Sequence, residues 1–249
     1  MNILRGKKIV LGISGGIAAY KTTFLVRLLI KAGAEVQVIM SPASKDFVSP
    51  LTLSTLSQKP VFDSFVKDEN GITSWNNHVD FGLWADLVII APATANTMSK
   101  MANGNCDNLL LATYLSAKCP VYIAPAMDLD MYKHGSTKQN LTLLESFGNK
   151  IIPAESGELA SGLIGEGRVE EPDVISEEIQ KKVNANATFI EQGDLKGKHF
   201  LITAGGTMET IDPVRVITNR SSGKQAFFIA QSLLSRGAKV TIIKANTSA

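Results

Sequence analysis

The segment "KKIVLGISGGIAAYKTTFLVRLLIKAG", Lys7 to Gly33, decides the fold. A short β-branched run ends in glycine, and apolar residues then recur at intervals of three and four. That is strand, tight turn and helix, with Gly33 placed to end the helix. The same grammar repeats downstream. "AEVQVIMS" is a second strand, "SPASKDFVSPLTLSTLSQ" a loop and helix, and "ADLVIIAPATANT" a third strand. Four consecutive apolar residues, Leu87 to Ile90, suit a parallel strand covered on both faces. "NLLLATYLSAK" follows as helix, "CPVYIAPAM" as strand, "STKQNLTLLESFG" as helix and "NKIIPA" as a fifth strand. Short apolar strands alternating with helices predict a doubly wound α/β parallel sheet. In such sheets ligands sit beyond the carboxyl ends of the strands.

The pattern then breaks and restarts. The stretch from Glu170 to Lys198 is polar and charged, helix-like from Pro172 to about Val183. "HFLITAGGT" opens a new strand, "GKQAFFIAQSLLSRGA" a new helix ending at Gly237, and "KVTIIKA" a further strand. We expect a first domain over residues 1–180, a linker over 181–195 and a partial second Rossmann-like domain over 196–249. So short a βαβ unit cannot bury a full α/β core by itself.

Bulk composition narrows the function class. The 25 basic and 23 acidic residues give a net charge of +2, too little asymmetry to argue for nucleic acid or an anionic membrane. No apolar run reaches the roughly 18–20 residues of a membrane span, and the N-terminus reads as a strand rather than a signal peptide. Cys106 and Cys119 form no disulfide framework and no CxxC pair. A cytoplasmic protein with reduced thiols is expected.

The loops at the strand tips carry the chemistry. Ser14, Gly15 and Gly16 stand before a helix, where free backbone N–H groups can meet a phosphate. The GxGxxG spacing is missing, and Ser41 occupies the end of the second strand where a dinucleotide site wants an acid. A mononucleotide is preferred; a ligand-free glycine turn is the bland option. Thr94, Asn96, Thr97 and Ser99 offer donors for a phosphate or a ring carbonyl, or else Asn96 or Thr97 caps the next helix. His78 lies among Asn76, Asn77 and Asp80, a polar setting for proton transfer or carboxylate binding if it is not structural. His134 and His199 have no such context.

"PAMDLDMY", residues 125–132, places Asp128 and Asp130 after a buried-looking strand. A hard cation needs several oxygen ligands and a transition metal usually wants His or Cys, so no metal site is expected. A helix N-cap remains. "SGELASGLIGEGR", Ser156 to Arg168, has hinge glycines suited to a flap over a site. In the second unit Gly205, Gly206 and Thr207 repeat the phosphate-turn logic, and Asn219 to Lys224 add donors at a second helix N-terminus. So dense a set of donors points to an anionic ligand.

Taken together, "GISGGIAAYK", "APATANT", "KMANG", "PAM", "MY" and "NHVDF" resemble the homo-oligomeric flavin-containing cysteine decarboxylases. The second unit, with "TAGGT", "DPVR" and "ITNRSSGK", resembles the start of phosphopantothenate–cysteine ligase. Their fusion resembles the bacterial bifunctional coenzyme A biosynthesis proteins. The resemblance implies FMN held by Ser14, Gly15, Gly16, Ile17, Ser41, Ala43, Thr94, Ala95, Asn96, Thr97 and Ala126. It implies decarboxylation of 4′-phosphopantothenoylcysteine to 4′-phosphopantetheine. Family members oxidise the cysteine moiety with the flavin, lose CO2 from the thioaldehyde and reduce the enethiolate. A plain cysteinyl carboxylate has no electron sink, and the thiocarbonyl creates one.

The resemblance also assigns roles. His78 aligns with the family's active-site histidine, and Asp128, Met131, Gly162 and Arg168 fall in its substrate-binding stretches. Two departures stand out. Asp128 replaces the family's usual asparagine, and Ser161 stands where a proton-donating cysteine is usual. A hydroxyl is a much poorer acid than a thiol. The ligase half implies CTP and Mg2+, with Gly205, Gly206, Asn219 and Lys224 as candidate ligands and Asn219 holding an acyl-cytidylate. No ligase activity is expected of the chain as given. A homotrimer assembling into a dodecamer is implied. Competing readings are a flavin-binding regulatory protein and a sister flavoenzyme, either a flavin prenyltransferase or a peptidyl-cysteine decarboxylase.

Overall fold

The structure, a computed structural model, describes residues 4–69, 72–187 and 193–245. The chain divides into two compact units, Met1–Val183 and Asn184–Ala249.

The first unit is a doubly wound parallel sheet. Its strands are β1 (Lys8–Ile13) and β2 (Glu35–Met40), a separate hairpin of β3 (Val66–Glu69) and β4 (Ile72–Trp75), then β5 (Leu87–Ala93), β6 (Val121–Pro125) and β7 (Lys150–Ile151). The sheet order is β2-β1-β5-β6-β7, and every neighbouring pair runs parallel. Leu87 to Ile90 are all buried, because helices cover both faces. One face packs Ile9, Leu11, Val38 and Ile89 against α1 (Thr22–Lys31) and α8 (Pro172–Ala187). The other packs Val10, Ile39, Val88, Ile90 and Ile123 against α4 (Ala95–Ala102), α5 (Leu109–Ser116) and α7 (Gly135–Ser146). Burying each such aliphatic side chain contributes about 1.5–3 kcal/mol relative to exposure.

The strand order places the ligand crevice. From β1 the chain goes outward to β2, then returns to the other side of β1 to lay down β5. The connections leave the tips of β1 and β5 in opposite directions, which opens a gap at the carboxyl ends.

Several local features differ from the sequence expectation. The helix after β1 begins as a 3-10 turn, Ile17–Lys21, before α1; Gly33 does end it, at φ +95°. The hairpin of β3 and β4 fills a stretch in which no strand was expected. The expected fifth strand shrinks to the two residues of β7. The glycine-rich flap is an antiparallel hairpin of β8 (Glu155–Glu158) and β9 (Ile164–Arg168), with Gly162 at φ +83° near its tip.

In the second unit β10 (His199–Ala204) pairs in parallel with β13 (Lys239–Lys244), joined through α9 (Lys224–Ser235). The long polar loop between β10 and α9 contains a further hairpin, β11 (Met208–Thr210) with β12 (Val216–Thr218). Among the described residues no helix is long and apolar enough to cross a membrane.

Candidate functional site

A cavity of about 990 Å³ lies at the tips of β1, β2, β5 and β6. Pockets of a few hundred to about 1,000 Å³ are the size range of small-molecule and cofactor sites. Gly15, Gly16 and Ile17 enter it from the β1 loop, Ser41 and Ala43 from the β2 loop, and Thr94 to Thr97 from the β5 loop. Ala126, Asp128 and Met131 enter after β6, and Ser161 and Arg168 from the flap hairpin.

The β1 loop has the geometry of an anion cradle. Among the described residues no protein acceptor meets the backbone N–H of Gly15 or Gly16. Successive free N–H groups before a helical turn make a concavity for a phosphate or ring carbonyl. A Cβ on Gly15 would lie 2.7 Å from Ala43 Cβ and 2.8 Å from the Ala43 carbonyl carbon, so only glycine lets these loops touch.

Three expected site residues fall outside this cavity wall. Ser14 is fully buried beneath the β1 loop, where its Oγ donates to the Pro92 carbonyl at 2.6 Å. The same oxygen accepts the Thr94 N–H at 2.9 Å. Gly162 sits at the hairpin turn beside Ser161. His78 opens α3 (His78–Trp84), capped by Asn77, with its ring edge-on to Phe65 at 6.1 Å between centroids. Its Nδ1 is buried without a partner among the described residues.

The loop after β6 answers the question of the Asp128 N-cap. Asp128 is the N-cap of α6 (Leu129–Lys133), its Oδ1 accepting the Leu129 N–H at 2.6 Å. That same oxygen accepts from Ser161 Oγ at 3.1 Å, fastening the flap to the cavity floor. Among the described residues no group of acids, histidines and cysteines could hold a metal ion. After β5 the helix begins earlier than expected: Thr94, rather than Asn96 or Thr97, is the N-cap of α4.

Charged residues that sequence reasoning passed over also line the cavity. Lys21 is buried, and its Nζ donates to Glu171 Oε1 at 2.8 Å and to the Val169 carbonyl at 3.3 Å. The Lys21 hydrogen bond, reinforced by the charges of Lys21 and Arg168, holds the Glu171 carboxyl below the usual glutamate range. Arg168 also hydrogen-bonds Glu171. Lys100 pairs with Asp107, and that hydrogen bond lowers the Asp107 carboxyl. The local spacing around Lys21 carries no signal of its pairing, because Glu171 is 150 residues away.

In the second unit Asn219 closes the β10 loop. Its Oδ1 accepts the Thr207 N–H at 2.8 Å, and a Cβ on Gly206 would lie 2.7 Å from the Asn219 carbonyl oxygen. Lys224 begins α9 after Gly223, which caps the helix at φ +73°.

The family model described as Flavoprotein matches residues 2–184 of this chain, nearly three-quarters of it. The chain belongs to the flavoprotein family. A second model, the DNA/pantothenate metabolism flavoprotein C-terminal domain, matches residues 195–249 of this flavoprotein. It is 52% identical over 196 residues to a cysteine/cysteine sulfinic acid decarboxylase of an unknown prokaryotic organism, covering 79% of this chain and 54% of the relative. It is 43% identical over 248 residues to the coenzyme A biosynthesis bifunctional protein CoaBC of Bacillus subtilis (strain 168), covering 99% and 59%. The chain therefore spans between half and two-thirds of the length of these curated relatives. Among solved structures it resembles a PPC decarboxylase mutant complexed with pantothenoylaminoethenethiol, at 30% identity and TM-score 0.65 over 72% of this chain and 100% of that one. It also resembles the FMN binding protein AtHal3, at 31% identity and TM-score 0.62 over 73% and 98%. The fold of this flavoprotein is thus a Rossmann-like parallel sheet shared with those proteins.

Proposed function

We propose that this cavity binds FMN and that the chain decarboxylates 4′-phosphopantothenoylcysteine to 4′-phosphopantetheine, a step of coenzyme A biosynthesis, in the cytoplasm. The observation that carries the reading is the pair of Gly15 and Gly16 N–H groups, without an acceptor among the described residues, at the switch point of the sheet. They open into a cavity large enough for a mononucleotide. Ser41 at the tip of β2, in place of a ribose-binding acid, favours a mononucleotide over a dinucleotide. The names of the related PPC decarboxylase, CoaBC and FMN binding proteins agree with it. The name of the 52% identical relative supports a cysteine-derived substrate as the class.

Gly15, Gly16, Ile17, Ser41, Ala43 and Thr94 to Thr97 would hold the cofactor, with Ala126 against it. When bound, the flavin supplies reversible two-electron oxidation of the thiol-bearing carbon, which gives the departing CO2 an electron sink. The protein's part is positioning. The flap hairpin walls one side of the cavity, and the hydrogen bond from Ser161 to Asp128 ties it to the loop after β6.

His78 lies outside its own chain's cavity, with an unpartnered Nδ1 and exposed Trp75, Val79 and Leu83 nearby in sequence. We assign it to a neighbouring copy's site in a homotrimer, with trimers assembling further into a dodecamer. The second unit, which resembles the start of phosphopantothenate–cysteine ligase, would in this reading supply the opening βαβ of a domain using CTP and Mg2+, with Asn219 at the loop.

The reading is tested by spectrum and assay. The purified protein should absorb near about 450 nm, as flavoproteins do, and release CO2 from 4′-phosphopantothenoylcysteine. A colourless protein that takes up no FMN would overturn it.

A further inference from the structure

Glu171 stands behind the cavity wall and holds two cations that are part of it. Lys21 and Arg168 line the cavity, whereas Glu171 does not. Its Oε1 alone accepts from both, from Lys21 Nζ at 2.8 Å and from Arg168 Nη2. The two cations come from distant places in the fold. Lys21 closes the 3-10 turn after the glycine cradle, and Arg168 ends the flap strand β9. Lys21 is buried and donates again to the Val169 carbonyl at 3.3 Å, so its ammonium is fixed by two acceptors. Lys21 thus anchors Glu171, and Glu171 in turn anchors Arg168.

Arg168 depends on that anchor. Its side chain is 39% exposed, and so long an arm has many rotamers to lose when a ligand fixes it. Glu155 on β8 comes no closer to Nε than 3.7 Å, beyond hydrogen-bonding distance. Among the described residues Nη1 has no hydrogen-bond partner. With Nη2 held by Glu171, Nη1 is left to donate to an oxyanion in the cavity. We propose that Glu171 is a positioning residue, which sets the Arg168 guanidinium in place to receive an oxyanion of the substrate. The proposal rests on the decarboxylase reading above. The substrate of that reading carries two such groups, a carboxylate and a phosphate. Glu171 lowers the ordering cost of binding without touching the reacting atoms, so its loss falls on KM rather than kcat.

The test uses the FMN-loaded full chain with Glu171→Gln, Arg168→Ala and the double variant. Glutamine keeps the size and one acceptor oxygen of a half-exposed side chain, so the variant should fold. For 4′-phosphopantothenoylcysteine, Glu171→Gln should raise KM roughly fivefold and leave kcat within about twofold. Calorimetric binding of 4′-phosphopantothenoylalanine, which has no thiol to oxidise, should weaken by the same roughly fivefold. In the Arg168→Ala background the same substitution should have no effect on either measurement, as a double-mutant cycle requires of a residue that acts through another. Titrating analogues that lack the carboxylate or the phosphate identifies the oxyanion, because removing the right one abolishes the Glu171→Gln penalty. A penalty that survives removal of either group overturns the proposal. So do equal penalties in both backgrounds, as a purely structural role would give, or a loss confined to kcat. Any of these in a parent that releases CO2 from 4′-phosphopantothenoylcysteine overturns this inference alone. A parent that neither releases CO2 nor binds the alanine analogue overturns the decarboxylase reading with it.

Discussion

Ser14 and Thr94 stand on different strands' loops, 80 residues apart, yet Ser14 Oγ accepts the Thr94 N–H at 2.9 Å while donating to the Pro92 carbonyl at 2.6 Å. One buried hydroxyl thus ties the anion cradle after β1 to the first turn after β5. Replacing Ser14 by Ala leaves the Pro92 carbonyl and Thr94 N–H without this partner. We expect a loss of about 1–3 kcal/mol in unfolding free energy, measured by denaturant titration, with weaker FMN retention on dialysis. Unchanged stability would show that water replaces the hydroxyl freely.

Gly15→Ala should empty the cofactor site, because the new Cβ meets Ala43 backbone that cannot give way. The purified variant should lack flavin absorbance. If His78 serves a neighbouring copy, mixing unfolded Gly15→Ala and His78→Ala chains and refolding them together should restore activity. Random assembly would make about a quarter of the sites competent, since each needs one sound cradle and one sound histidine from different copies. No recovery, with mixed oligomers present, would show that His78 does not serve a neighbouring copy's site.

The Glu171 carboxyl, held low chiefly by the Lys21 hydrogen bond, makes stability depend on acidity. A depressed folded-state value stabilises the protein above the ordinary glutamate value of 4.5, and the benefit is lost as pH falls through the folded value. Thermal melts should show the parent above Glu171→Gln at pH 6–7, with the gap closing steadily below about pH 4.5. A gap that is constant across this range would rule out the ionised pair as its source.

Ser161 sits in the cavity wall, its hydroxyl bonded to Asp128. A thiol there is the stronger acid by several pH units. Ser161→Cys should raise the yield of the fully reduced thiol, 4′-phosphopantetheine, over the enethiol on the order of tenfold while CO2 release stays near the parent rate. Product analysis by mass spectrometry separates the two; an unchanged product ratio would remove residue 161 from the protonation step.

The alternation of short apolar strands with periodic helices in the first unit was legible from residue types alone. Side-chain periodicity is a local property, and the Leu87–Ile90 run or the Gly33 terminus each declares itself within a few residues. The glycine, threonine and asparagine loops at the strand tips were legible for the same reason. What only the tertiary structure decided were relationships between segments. The β3–β4 and β11–β12 hairpins depend on pairings such as Val66 with Trp75, in stretches too polar to alternate clearly. Ser14 turned inward as a tie rather than outward to a ligand. His78 fell outside its own cavity, and Lys21, Lys100 and Arg168 each acquired an acid. The Ser14 tie and the Lys21–Glu171 pair join residues 80 and 150 positions apart, and hydrogen bonds and ion pairs act only over a few ångströms that the fold alone sets.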